Sequence, residues 1–289
     1  MPVPAPTAPA PPVRRAVPLL ADALAGTYRH LTRVCASLRV EVARTAHPTA
    51  GWTDGARLVA EDARLDGFVT GEALRIEAAH GHTARPDVAA SRALHHYLWS
   101  VCLLMSGPWY LARRVPRLRP EDVHVELGSG DFAVVPGSFT CLPDDPAAGS
   151  PGVGVAPDEE ALRVELRAAV VDHVRPLLDA LGPRLRRRQR ALWGMTGDDL
   201  VSGIWHLGRV LGEEDRSVRA ATALLPGPTA PFPGGADFRR LRAAGGGPPH
   251  TTRTRLGCCL YYTISPGDAC LTCPRVCDTE RLARLAPPS

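Results

Sequence analysis

Five of the eight cysteines in this 289-residue chain crowd between Cys258 and Cys277. Thiolates are the ligands that select soft metal centres, so the crowding points to metal or redox chemistry before it points to cross-linking. Four of the five, Cys258, Cys259, Cys270 and Cys273, are spaced C-C-x10-C-x2-C. The Cys270/Cys273 half is the familiar pair whose two sulfurs can converge on one centre. The other half is unusual, because adjacent side chains point apart along an extended backbone. They meet on one tetrahedral ion only where the chain bends, and Gly257 just before them can supply a bend. A two-iron cluster spreads four ligand positions over two metals and accommodates diverging thiolates more readily than one zinc does. Structural zinc would normally show two short cysteine knuckles. A vicinal or loop disulfide is strained and disfavoured in a reducing compartment. Ordinary buried cysteines would not crowd in this way.

The segments that must position these thiols read as mainly helical. Helical spacing runs from Leu19 to Ala46, where His47-Pro48 stops it, and again from Ser91 to Arg114, with Gly107-Pro108 expected to break or kink the end. Between Gly51 and Gly81 the pattern is mixed. Val123–Leu127 and Phe132–Val135 have β character around a Gly128-Ser129-Gly130-Asp131 turn, and Ser138–Leu142 is a third short strand. Pro143–Pro157 is a Gly/Pro/Asp loop and the best internal boundary. Asp158 caps a helix whose stripe is Leu162, Leu166, Val170, Val174 and Leu178, bending at Pro176. Another helix covers about Gln189–Leu211, Leu225–Pro249 resists assignment, and Asp278 caps a short last helix from Thr279 to Leu285. The implied fold class is α+β, predominantly α-helical, with a small antiparallel sheet and a C-terminal cysteine-rich loop. Residues 1–18 read as a disordered Pro/Ala-rich tail, 19–250 as the main domain and 251–289 as the metal-binding segment.

Composition excludes several function classes. The net charge of +4 is modest, and arginine runs such as Arg186-Arg187-Arg188 fit a solvated helix face better than a nucleic-acid surface. No apolar run approaches the roughly 18 residues of a membrane span, and the N-terminus lacks signal-peptide character, so a cytoplasmic location is expected. Gly128-Ser129-Gly130 has no strand–loop–helix context, and no dinucleotide fingerprint occurs, so reducing equivalents must come from an external partner.

The C-C-x10-C-x2-C ending, with Leu260-Tyr261-Tyr262 after the paired cysteines and Cys273-Pro274 at the close, resembles the FhuF-like ferric-siderophore reductases. The resemblance continues more weakly through Arg190–Gly194 and the helix around His95-His96. It implies a 2Fe–2S cluster held by Cys258, Cys259, Cys270 and Cys273, with Cys277 extra to the motif. It also implies an oxidoreductase that passes one electron to an iron(III)–siderophore, of hydroxamate type, with Fe(II) released in the cytoplasm. A ferredoxin or flavin reductase would be the electron donor. A non-enzymatic iron or redox sensor and a structural zinc protein are the alternatives. Around the motif, Arg253 and Arg255 either tune the cluster or are solvated. Tyr261 and Tyr262 either shield it or, the reading preferred, pack in the core. His95-His96 can line a pocket with one imidazole exposed, while Trp193, Trp205 and His206 either help bind substrate or fill the core.

Overall fold

The computed structural model describes residues 16–43, 51–243, 246 and 248–285. Its centre is helix α4, Pro86–Ala112, which α1 (Ala16–Val34), α3 (Asp62–His80), α5 (Glu159–Leu185) and α6 (Gln189–Val210) surround. A helix packed on all sides must be apolar on all sides. That is why Leu94, Leu98, Val101, Leu103, Leu104 and Met105 are all buried, at about 1.5–3 kcal/mol of burial free energy per large side chain. Gly107 lets α1 approach, since a Cβ there would sit 2.6 Å from Leu31 Cδ2.

Short strands cover one flank. β1 (Val40–Val42), β5 (Phe132–Val134), β4 (Val123–Glu126) and β2 (Trp52–Asp54) form one sheet in that order, with β1 parallel to β5 and the other pairs antiparallel. β3 (Val115–Pro116), β6 (Phe139–Cys141) and β7 (Val153–Val155) form a second, in which β6 and β7 run parallel. A third pair, β8 (Arg239–Leu241) with β9 (His250–Thr252), is antiparallel and delivers the chain to Arg253. The expected α+β class holds, with mixed rather than purely antiparallel sheets.

Several expectations need correction. The first helix stops at Val34 instead of continuing to Ala46. Leu38–Val42 alternates apolar with polar residues, and the free edge of β5 captures Val40–Val42 in register with Phe132–Val134. Residues 44–50 lie outside the described set. So do residues 1–15 of the expected tail, while 16–18 belong to α1. Pro108 does not end α4; the helix runs on to Ala112 and closes at Arg113 in the left-handed conformation. α5 likewise runs unbroken past Pro176 and Pro183. Pro143–Pro157 is no domain boundary, because one hydrophobic core takes in Leu142, Ala156 and Leu162 on both sides of it. Three helices in stretches left unassigned are α2 (Gly55–Ala60), which Asp54 caps, α3, and α7 (Glu214–Leu224). α8 covers Asp278–Leu285.

Candidate metal centre

Two attachments fix the cysteine segment to the helices. The first is ionic. Arg253 and Arg255 are two residues apart, so an extended backbone points both to the same side. There they meet Asp198 and Asp199, neighbours on α6 whose side chains diverge around the helix. Arg253 Nη2 lies 2.7 Å from Asp198 Oδ1, and Arg255 Nη2 lies 2.6 Å from Asp199 Oδ1. Asp198 also accepts the Gly257 N–H at 2.7 Å, and Asp199 accepts His95 Nδ1–H at 2.8 Å. Arg253 is 1% exposed and both aspartates are fully buried, so these are interior ion pairs and not a solvated pair of arginines. The second attachment is a small apolar cluster of Ile76, Val88 and Ile264, with Leu260 and Tyr261 against it.

The turn that carries the second pair of cysteines is closed by backbone bonds. Cys273 N–H donates to Cys270 O at 2.9 Å, and Arg255 N–H donates to Thr272 O at 2.9 Å, joining the two halves of the motif. Arg281 of α8 reaches in from below. Its guanidinium donates to the carbonyls of Leu271, Cys273 and Val276, and Asp278 pairs with it at 2.7 Å. A completely buried guanidinium spent on three carbonyls of one turn holds that turn's shape.

Cys258, Cys259, Cys270 and Cys273 line one small cavity with Arg255, Gly257, Tyr261 and Tyr262. All four thiols are free. Burial pushes the Cys270 thiol up. Arg255 pulls it down, while Cys259 and Cys273 push it further up. Burial also pushes Cys273 up, the Arg275 N–H opposes it, and Cys258 and Cys259 add to the rise. For Cys270 and Cys273 burial is therefore the main obstacle to ionisation, with the neighbouring thiols adding to it, and a cation shared by the sulfurs would relieve both. Among the described residues, no group of three or more His, Cys, Asp or Glu side chains is arranged to hold a single metal ion. Four sulfur donors around one cavity, with no nitrogen or carboxylate ligand among them, fit the four ligand positions of a two-iron cluster.

The bend expected at Gly257 lies elsewhere. Leu260, with φ of 65°, turns the chain just after the cysteine pair. Gly257 serves close approach, since a Cβ there would sit 3.1 Å from the Met195 backbone nitrogen. Tyr261 and Tyr262 are half-buried at the cavity edge, Tyr261 also packing against the Ile76 cluster, and Arg92 and Arg275 lie over their rings at 5.0 and 4.3 Å. Cys277 is exposed and outside the cavity. Trp193 and Trp205 are buried core residues, and His206 pairs with Ser37 at 3.3 Å; none lines the cysteine cavity.

Two openings flank the cavity. On the Cys270 side is a polar pocket of about 560 Å³, which His95, His96, Arg75, Arg92 and Arg255 line. Neither histidine is fully exposed, contrary to the expectation for one of them, because the β4–β5 turn folds over α4. Burial lowers the pKa of His95 against the pull of Asp199, and burial with Arg75 pushes His96 down to about 4, so both imidazoles are neutral at pH 7. On the Cys258 side is a more apolar surface around Leu256. Sequence reasoning missed Asp198, Asp199 and Arg281. The signal for the aspartates was an acidic pair inside an apolar helix, matched by the Arg-x-Arg that precedes the cysteines.

The comparisons agree with this centre. No curated protein matches the chain. Residues 255–275 match the family model described as the FhuF 2Fe-2S C-terminal domain, a span that runs from Arg255 past all four cavity cysteines. Over that segment the chain is similar to the FhuF 2Fe–2S C-terminal domain, which supports a 2Fe–2S cluster as its cofactor.

Proposed function

We propose that this chain is a ferric-siderophore reductase, with Cys258, Cys259, Cys270 and Cys273 as the ligands of its cluster. When bound, a thiolate-ligated 2Fe–2S cluster of plant type supplies a one-electron donor near about −400 mV. Siderophores hold iron(III), a hard cation, through oxygen donors. One added electron gives Fe(II), whose lower charge weakens those bonds and favours softer ligands. The chelator survives, and no proton has to move on the protein. The protein's part is to seat the chelate beside the cysteines and keep bulk water from the sulfurs.

The observation that carries this reading is the double position of Cys270. It lines the cysteine cavity and also the 560 Å³ pocket beside it. A substrate seated in that pocket would need no further path through the protein. Neutral His95 and His96 offer it nitrogen donors and acceptors, and Arg92, which has no carboxylate partner among the described residues, offers it a cation. Arg255 stands against Cys259 and Cys270 and favours the more negative, reduced state of whatever the sulfurs hold. The hydroxamate class, an external ferredoxin or flavin donor and release of Fe(II) in the cytoplasm complete the reading.

Anaerobically reduced protein mixed with ferric hydroxamates, in the presence of a ferrous chelator, tests it. Re-oxidation with stoichiometric trapping of Fe(II) is the expected result. Inertness towards several ferric chelates would overturn the enzyme reading and leave a redox or iron sensor.

A further inference from the structure

The surface on the Cys258 side differs from the polar pocket in its lining. Leu256 stands 53% exposed at its middle, one of few large apolar side chains on this protein left so open. Around it lie Arg187, Arg188, Arg190 and Arg275. Most arginines here are committed to carboxylates: Arg57, Arg64, Arg113, Arg114, Arg184 and Arg253 are examples. Of the four around Leu256, Arg187 donates to the Met195 sulfur and Arg275 lies over Tyr262. Arg188 and Arg190 are exposed, and none of the four has a carboxylate partner among the described residues. Nor does any carboxylate line the surface.

The run Arg186-Arg187-Arg188 is therefore not a solvated helix face. It forms the turn between α5 and α6, with Arg186 in the left-handed conformation, and that turn aims the cations at the cysteine segment. An apolar centre within a rim of uncompensated arginines has the anatomy of a protein interface. The gap in compensating charge states the sign of the partner.

We propose that the Leu256 surface, with its Arg188, Arg190 and Arg275 rim, docks an acidic electron-transfer protein against the Cys258 side of the metal centre. The inference rests on the reading that the cysteines hold a redox cluster. It adds that the donor and the chelate use opposite faces: the partner seats at Cys258 and the siderophore at Cys270. The fit is non-covalent. Arginine forks meet surface carboxylates, and Leu256 enters an apolar patch within the acidic ring. The leucine at its middle argues against a small anionic chelate as the occupant.

Titration calorimetry of the cluster-loaded full chain with an oxidised plant-type ferredoxin, itself strongly acidic, is the test. Wild-type protein is expected to bind at low ionic strength and to lose affinity as salt rises from about 0.05 to about 1 M, where screening shortens the electrostatic range. Arg188→Glu with Arg190→Glu turns two attractions into repulsions, so binding should weaken at least about tenfold and its salt dependence should flatten. Arg188→Lys with Arg190→Lys should keep most of the affinity. Iron content and thermal midpoint report folding, which exposed residues at the start of α6 should not disturb. Equal affinity in wild type and the Glu variant, or no binding by either, would overturn the proposal. So would a Glu variant that binds ferredoxin normally yet fails to reduce ferric hydroxamate after photochemical reduction, which would make this face the chelate site. If chelate reduction fails in all proteins while ferredoxin binding still depends on the arginines, the docking surface stands and the reductase reading falls.

Discussion

Replacing Asp198 with Asn isolates the ionic attachment. The side chain keeps its shape, but a neutral amide now faces the Arg253 guanidinium that lay 2.7 Å from a carboxylate oxygen. At that distance, an effective dielectric constant of about 20 gives an attraction of about 6 kcal/mol, which the burial of both charges partly offsets. Arg253 cannot shed its proton, and its remaining partners are neutral: Ala236 O, Asp198 O and Ser202 Oγ. Breaking a buried pair on one side costs about 3–5 kcal/mol, so Asp198→Asn should lower the melting midpoint of metal-free protein by roughly 10 °C. Thermal and chemical denaturation followed by circular dichroism measure the midpoint and the free energy, and iron per chain after reconstitution reports the site. The double variant Asp198→Leu with Arg253→Met removes both charges. It should recover to within about 1–3 kcal/mol of wild type, the remaining loss being the Gly257 N–H left without its acceptor. Its iron content should stay low, because that N–H sets the backbone entering Cys258. Stability within about 1 kcal/mol of wild type and full iron loading in Asp198→Asn would refute the reasoning.

Two further outcomes follow from groups inside the core. His173 accepts from Tyr97 Oη at 2.9 Å and donates to Leu118 O at 3.0 Å, and burial pushes its pKa down from 6.5 to about 4. The depressed value means that the unfolded chain takes up the proton first. Its stabilising contribution is present above pH 6.5 and lost as pH falls towards 4, amounting to about 3 kcal/mol. His173→Gln keeps both hydrogen bonds without titrating, so its denaturation midpoint should fall less steeply over that range; an unchanged slope would count against it. Arg255→Gln removes the cation beside Cys259 and Cys270 and leaves Asp199 with His95 alone. The midpoint potential of the bound cluster should fall by tens of millivolts, on the order of 30–100 mV, in a spectroscopic redox titration, and a rise would contradict the assigned polarity.

The thiols, the long helices and the β4–β5 hairpin were legible because each has a local cause. Thiolates crowd only for chemistry, helical spacing repeats within a few turns, and Gly-Ser-Gly-Asp makes its turn without outside help. Other features depend on partners distant in the chain. Val40–Val42 is a strand because β5 offers an edge more than ninety residues away, and nothing local distinguishes it from the end of a helix. Pro108 and Pro176 break isolated helices, yet here the packing around α4 and α5 sustains them. Asp198 and Asp199 read as a polar interruption of an apolar helix until Arg253 and Arg255 arrive beside them. The fold around the centre was therefore visible in outline. The ion pairs that seat it, and the left-handed Leu260 that bends it, became visible only in three dimensions.

Iron and acid-labile sulfide analysis of anaerobically purified protein, with an EPR spectrum after reduction, tests the metal centre most directly. The expected result is a red-brown protein with about two irons and two sulfides per chain and a rhombic signal. Serine at Cys258, Cys259, Cys270 or Cys273 should remove iron and colour, whereas Cys277→Ser should retain both. A colourless protein with one zinc, or full iron retained by any of those four serine variants, would contradict it.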